Sequence, residues 1–128
     1  MKYYMIIEDD NIDILIIERM IQMVDETIKP VVLRDGGEAI KYFKKLLTDT
    51  QAEKPKFVLL DLMMPMVNGF EFLEMYKYQI YPQMPKVPVI ILTTSLHLDD
   101  KEIATSYEFV KEFVLKPIKR NEILEFIS

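Results

Sequence analysis

The chain has 128 residues, half of them apolar, which suits one domain with a sizeable core. Its net charge of −5 argues against a nucleic-acid-binding surface, which needs a basic face; Lys41, Lys44, Lys45, Lys54 and Lys56 lie scattered among acids, as on a solvated face. There is no cysteine, so disulfide scaffolds, thiolate zinc sites and thiol nucleophiles are excluded.

The apolar run in MKYYMIIEDD is too short for a signal peptide, and no segment approaches the roughly 20 apolar residues of a membrane span. A soluble cytoplasmic protein is expected. Tyr3 to Ile7 reads as a first strand, and Asp10 or Asn11 as the cap of a helix with Ile14, Ile17, Ile21 and Val24 at helical spacing. Pro30 to Leu33 gives a second strand. Asp35 with Glu38 opens a second helix whose apolar face is Ala39, Ile40, Phe43, Leu46 and Leu47. Lys56 to Leu60 is a third strand, apolar at successive positions, as strands buried on both faces are.

Asn68 and Glu71 repeat the cap pattern before a third helix carrying Phe70, Leu73 and Tyr76. The stretch YPQMPKVP reads as loop and Val89 to Leu92 as a fourth strand. Asp99 and Glu102 open a fourth helix through about Tyr107, Phe113 to Leu115 is a fifth strand, and Lys119 to Ile127 a short last helix. Five strand–helix units in series predict one α/β domain over residues 1–128, a doubly wound parallel sheet with helices on both faces.

In such sheets ligands sit beyond the carboxyl ends of the strands, so function is sought just after each strand. Those positions hold Glu8, Asp9 and Asp10, then Asp35, Asp61, Thr93 with Thr94 and Ser95, and Lys116 followed by Pro117. If the first and third strands are neighbours, Asp61 meets the acidic cluster. Two carboxylates about 4 Å apart repel by roughly 4 kcal/mol at an effective dielectric of 20, so such a cluster calls for a cation or a proton. Hard oxygen donors without Cys or His favour Mg²⁺, with Mn²⁺ or Ca²⁺ as alternatives. A carboxylate, a divalent metal, a lysine and a hydroxyl compose a phosphoryl-transfer site with Asp61 as nucleophile. A reacting carboxylate needs a stiff loop: Pro65 fixes one φ angle and Gly69 permits a tight turn into the next helix.

Together these residues resemble a response-regulator receiver domain of two-component signalling, of the chemotaxis-type single-domain kind. The likeness rests on Glu8-Asp9-Asp10, on Asp61 with Pro65 and Gly69, on Thr93, and on Lys116-Pro117, and it runs over essentially the whole chain. It implies the flavodoxin-like strand order 2-1-3-4-5. It implies that Asp61 accepts a phosphoryl group from a phosphohistidine on a partner histidine kinase or phosphotransfer protein. Asp9 and Asp61 would ligate Mg²⁺ directly, with Glu8 helping through water and the Met63 carbonyl adding a ligand, while Asp10 faces the helix start. Lys116 would pair with the phosphorylated Asp61, Thr93 would swing to bond the phosphoryl group, Phe113 would move with it, and Lys116–Pro117 would be cis. A downstream protein would then read the face made by the fourth helix, fifth strand and fifth helix. The chain would be no enzyme beyond its own phosphorylation and slow dephosphorylation, with neither nucleic acid nor membrane as a partner.

Phe113 departs from the tyrosine frequent there in the family, and the run EFVKE stands where glycine is common. His97, the single histidine, is given no role, and Met63, Met64 and Met66 read as core and loop filler. Three alternatives stand beside this reading. A degenerate receiver would bind its partner without phosphorylation. A flavodoxin-like FMN binder would need Ser, Thr or Gly where Glu8-Asp9-Asp10 would repel phosphate. A haloacid-dehalogenase-type phosphatase would need a second Asp at the position of Met63.

Overall fold

The computed structural model describes residues 2–64 and 66–127; Pro65, read above as a loop stiffener, lies outside the described residues. The elements alternate throughout: β1 (Tyr3–Ile7), α1 (Asn11–Val24), β2 (Lys29–Leu33), α2 (Gly36–Thr48), β3 (Val58–Leu60), α3 (Gly69–Gln79), β4 (Val89–Thr93), α4 (Leu98–Thr105), β5 (Val110–Leu115) and α5 (Arg120–Ile127). The five strands form one parallel sheet in the order β2-β1-β3-β4-β5. This is the order the resemblance implied.

Strand alternation divides the core between the two faces of the sheet. Tyr4, Ile6, Leu59, Ile90, Leu92 and Val114 pack against Ile14, Ile17 and Ile21 of α1 and Ile123 of α5. Met5, Ile7, Val58, Leu60, Val89 and Ile91 face the other way, onto Ile40 and Phe43 of α2, Phe72, Leu73 and Tyr76 of α3, and Ala104 of α4. The central strands are therefore buried on both sides, which is why their sequences are continuously apolar.

The caps explain where three helices begin. Asp10 accepts the Asp13 N–H, Asp35 accepts the Glu38 N–H, and Asn68 with Glu71 forms a reciprocal capping box. Helix α4 differs from expectation. It starts at Leu98 after His97, which makes no side-chain cap bond, and ends at Thr105. Asp99, the expected opening residue, lies within the first turn, and the neighbouring Asp100 carboxylate is bonded by the Ser95 hydroxyl.

Regular pairing of β3 begins only at Val58; Lys56 and Phe57 bond β1 alone, through Lys56 N–H to Tyr3 and from Met5 N–H to Phe57. β5 begins at Val110, three residues before the expected start at Phe113. It is an edge strand, so Lys111 is free to stand in water, and a register shift opposite Val89 and Ile90 admits the extra residue. The loop before β4 contains a single 3₁₀ turn, Tyr81–Gln83. Met64 is buried, whereas Met63 and Met66 are exposed, and Met66 has φ 61°, a left-handed backbone unusual for a side-chain-bearing residue. Among the described residues no helix is long and apolar enough to cross a membrane.

The glycine that opens α3 is required by contact, not by an unusual φ. A Cβ on Gly69 would lie 2.5 Å from Leu62 Cα and 2.7 Å from the Asp61 carbonyl oxygen, both backbone atoms that cannot turn aside. Gly69→Ala should therefore destabilise the chain by about 1–3 kcal/mol, read as a lower urea midpoint. Tyr76 poses the opposite case. Its ring is fully buried, its hydroxyl has no hydrogen-bond partner among the described residues, and burial pushes its ionisation up. Tyr76→Phe should cost nothing or raise stability by up to about 1 kcal/mol, and a loss beyond about 1 kcal/mol would show that the hydroxyl is satisfied.

Candidate functional site

Parallel register sets Ile7 of β1 opposite Leu60 of β3, so the residues that follow them, Glu8 and Asp61, emerge side by side. Asp61 N–H donates to the Ile7 carbonyl at 3.0 Å and Glu8 N–H to the Leu33 carbonyl at 3.0 Å, tying both to the neighbouring strand. Thr93 ends β4 and stands opposite Leu115 of β5; its carbonyl accepts the Lys116 N–H at 2.9 Å. The Lys116–Pro117 peptide is cis.

The Lys116 ammonium is the hub. It lies 2.5 Å from a Glu8 oxygen, 2.7 Å from Asp13 and 3.5 Å from Asp61. Glu8 is 1% exposed and Asp61 7%, so both carboxylates are largely cut off from water. Burial pushes the Glu8 carboxyl well above the usual carboxylate range, and Asp61 adds to this, while the Lys116 bond opposes it. Burial disfavours the Lys116 ammonium, yet the bonds it donates to Asp13 and Glu8 carry it above the ordinary lysine value. Asp13 is half-buried; burial raises its carboxyl, but Lys116 and Glu8 outweigh that and hold it below the ordinary aspartate value.

Carboxylate oxygens of Glu8, Asp9 and Asp61 all lie within 4.8 Å of one another, with Asp9 exposed at the rim. At that separation two full charges repel by about 3–4 kcal/mol at an effective dielectric of 20. An all-oxygen, soft-donor-free set with uncompensated negative charge fits a hard divalent cation. The Met63 N–H donates to Asp61 Oδ1 at 3.1 Å, which fixes the carboxylate; Met63 itself projects into solvent.

Other residues read from strand ends have local duties. Asp10 and Asp35 are helix caps. Thr93 is fully buried and its Oγ1 accepts the Ser95 N–H at 3.2 Å, so the hydroxyl oxygen is engaged within its own loop. Phe113, opposite Ile91, is half-buried and borders an open cavity of about 180 Å³ with Leu96, Leu98 and Lys101.

Three participants escaped the sequence reading. Asp13 joins the hub because it lies three residues after Asp10, on the first helical turn, where the cap turns its side chain back over the strand ends. Arg34, just before Asp35, bonds Asn11 Oδ1 at 2.6 Å and approaches the Asp9 carbonyl at 3.4 Å, bracing the loop after β1. Asp100 holds Ser95. Only the spacing of Asp13 was legible beforehand.

A family model, the response regulator receiver domain, matches residues 4–128. The probable methanogenesis regulatory protein FilR2 of Methanothrix harundinacea is 32% identical over 119 residues, which is 93% of this chain and 74% of that protein. Two solved structures are also similar. One is the phosphorylated cyanobacterial phytochrome response regulator RcpA, with TM-score 0.78 and 27% identity over 97% of this chain and 86% of that one. The other is the Mn²⁺-bound form of response regulator Rcp1, with TM-score 0.71 and 26% identity over 98% and 89%.

The clustered charge has a measurable cost. In chelator, Asp9→Asn should raise the melting temperature by a few degrees, on the order of 1 kcal/mol, because it removes repulsion from an exposed carboxylate. Millimolar divalent cation should raise the parent's melting temperature more than the variant's. Equal melting curves in chelator would show that the cluster is not under strain.

Proposed function

The chain belongs to the response regulator receiver domain family, and from that premise we propose that it is a phosphoacceptor switch of a two-component phosphorelay in which Asp61 is the acceptor. The observation that carries this reading is the convergence of a 7%-exposed Asp61, held by Met63 N–H, with Glu8, Asp9 and Lys116.

The donor is a phosphohistidine on a histidine kinase or phosphotransfer protein. An Asp61 oxygen attacks the phosphorus, the phosphorus–nitrogen bond breaks, and the imidazole leaves with the electron pair and takes a proton from solvent. Glu8, Asp9, Asp61 and the Met63 carbonyl are the groups that would hold Mg²⁺, which, when bound, offsets charge on the phosphoryl oxygens. The chain's own contribution is orientation and charge. Met63 N–H keeps the acceptor carboxylate in one plane. Lys116, engaged by Glu8 and Asp13 in the unphosphorylated chain, already stands 3.5 Å from Asp61 and moves onto the added negative charge.

Thr93 swings to turn its hydroxyl proton toward the phosphoryl group, and that swing carries its oxygen away from the Ser95 N–H it accepts. That repacks the loop before α4 and draws Phe113 inward, altering the α4-β5-α5 face that a downstream protein reads. The chain acts on no substrate but its own aspartate. The same reading sets it in the cytoplasm, with protein partners and neither nucleic acid nor membrane.

Incubation with acetyl phosphate and Mg²⁺ should add one phosphoryl group to the intact mass, and the gain should vanish in Asp61→Asn and in excess EDTA. A gain that persists in Asp61→Asn would move the acceptor elsewhere. No gain in the parent at all would favour a receiver that binds its partner without phosphorylation.

A further inference from the structure

A second concave site lies at the opposite end of the sheet. It is bordered by the end of α3, by Tyr81 ahead of β4, and by the turn that leads into β5, whereas Asp61 follows the far end of β3. The cavity is about 480 Å³. Its floor is Phe109, 2% exposed, with Tyr81 and Tyr107 tilted against it at ring separations of 5.1 and 5.4 Å. Tyr78 stands at the rim, 66% exposed.

Two carboxylates edge this aromatic surface, and among the described residues each accepts a hydrogen bond from a phenol. Tyr107 donates to Glu74, and Tyr81 donates to Glu108 at 3.0 Å. Burial and the Glu74 bond push the Tyr107 hydroxyl up to about 12, and the Glu108 bond raises Tyr81, so both phenols remain neutral donors. The groove already attracts a cation. The Lys77 ammonium sits 5.1 Å from the Tyr78 ring centre and 5.9 Å from that of Tyr107, and among the described residues it joins no ion pair.

We propose that this groove docks an arginine side chain of a basic segment on a partner protein, its guanidinium stacking on the tyrosine faces in place of Lys77 and bonding Glu74 and Glu108. A guanidinium suits the site better than an ammonium because it is planar, stacks on rings and offers several donors to flanking carboxylates. The chain's net charge of −5 favours the approach of such a segment. The groove is built from residues none of which belongs to the acidic pocket, so a partner held here leaves Asp61 open. The proposal is independent of the phosphoacceptor reading.

The test is an amide chemical-shift titration with the blocked peptide Gly-Arg-Gly-Arg-Gly, with Gly-Glu-Gly-Glu-Gly as control. Saturable shifts at Tyr78, Tyr81 and Tyr107 are expected with the arginine peptide alone. Lys77→Ala, an exposed change that removes the internal competitor, should tighten binding about threefold. The pair Glu74→Gln and Glu108→Gln, which keeps acceptors for both phenols, should weaken it about fivefold. Asp61→Asn should leave it unchanged. Shifts that do not saturate, that centre on Glu8 and Asp9, or that ignore both groove variants would overturn the proposal.

Discussion

One ammonium group organises the working end of this molecule. Lys116 is the common partner of Glu8, Asp13 and Asp61, residues contributed by the ends of β1 and β3 and the first turn of α1. Parallel register delivers the acidic side chains to one spot whether or not their charges agree, and two of them are buried. Hydrophobic burial on the two faces of the sheet supplies the free energy that keeps like charges together, and Lys116 relieves only part of the repulsion. The excess negative charge is what gives the pocket its appetite for a cation and, in our reading, its reactivity.

The loops around that hub are tight for steric reasons. Gly69 N–H bonds the Leu62 carbonyl at 3.1 Å while its missing side chain lets the helix start press on the backbone of Asp61 and Leu62. Gly36 opens α2 against Val67, with its N–H on the Val67 carbonyl at 3.0 Å. The backbone around Asp61 and Val67 is thereby pressed by the starts of two helices. The loop after β4 is held differently, by the chain of bonds from Ser95 N–H to Thr93 and from the Ser95 hydroxyl to Asp100 of α4. Hydrogen bonds can be exchanged where a backbone contact cannot. This contrast sets a sterically fixed Asp61 backbone beside a hydrogen-bonded loop that links Thr93 to the first turn of α4.

The two ends of the sheet have opposite chemical characters. At the carboxyl ends of the strands, carboxylates crowd a single ammonium. At the amino ends, aromatic faces carry a lysine that joins no ion pair among the described residues. The sheet separates them, so occupation of one does not block the other.

The sequence by itself determined the alternation of strands and helices, three helix caps, the apolar faces, and the strand-end residues Glu8, Asp9, Asp61, Thr93 and Lys116, because each follows from local periodicity or from the position after a strand. Element ends were less legible. β5 gains Val110 to Glu112 because Val110 reaches the core while the edge position leaves Lys111 in water, and α4 starts at Leu98, ahead of the expected cap Asp99, with no side-chain cap bond. Only the tertiary structure decided that Lys116 rests on Glu8 and Asp13 more closely than on Asp61, and that Tyr81, Tyr107 and Phe109 close round one groove with the end of α3. Those facts join residues distant in the chain, and pairwise distance is set by how the layers pack, which no local pattern encodes.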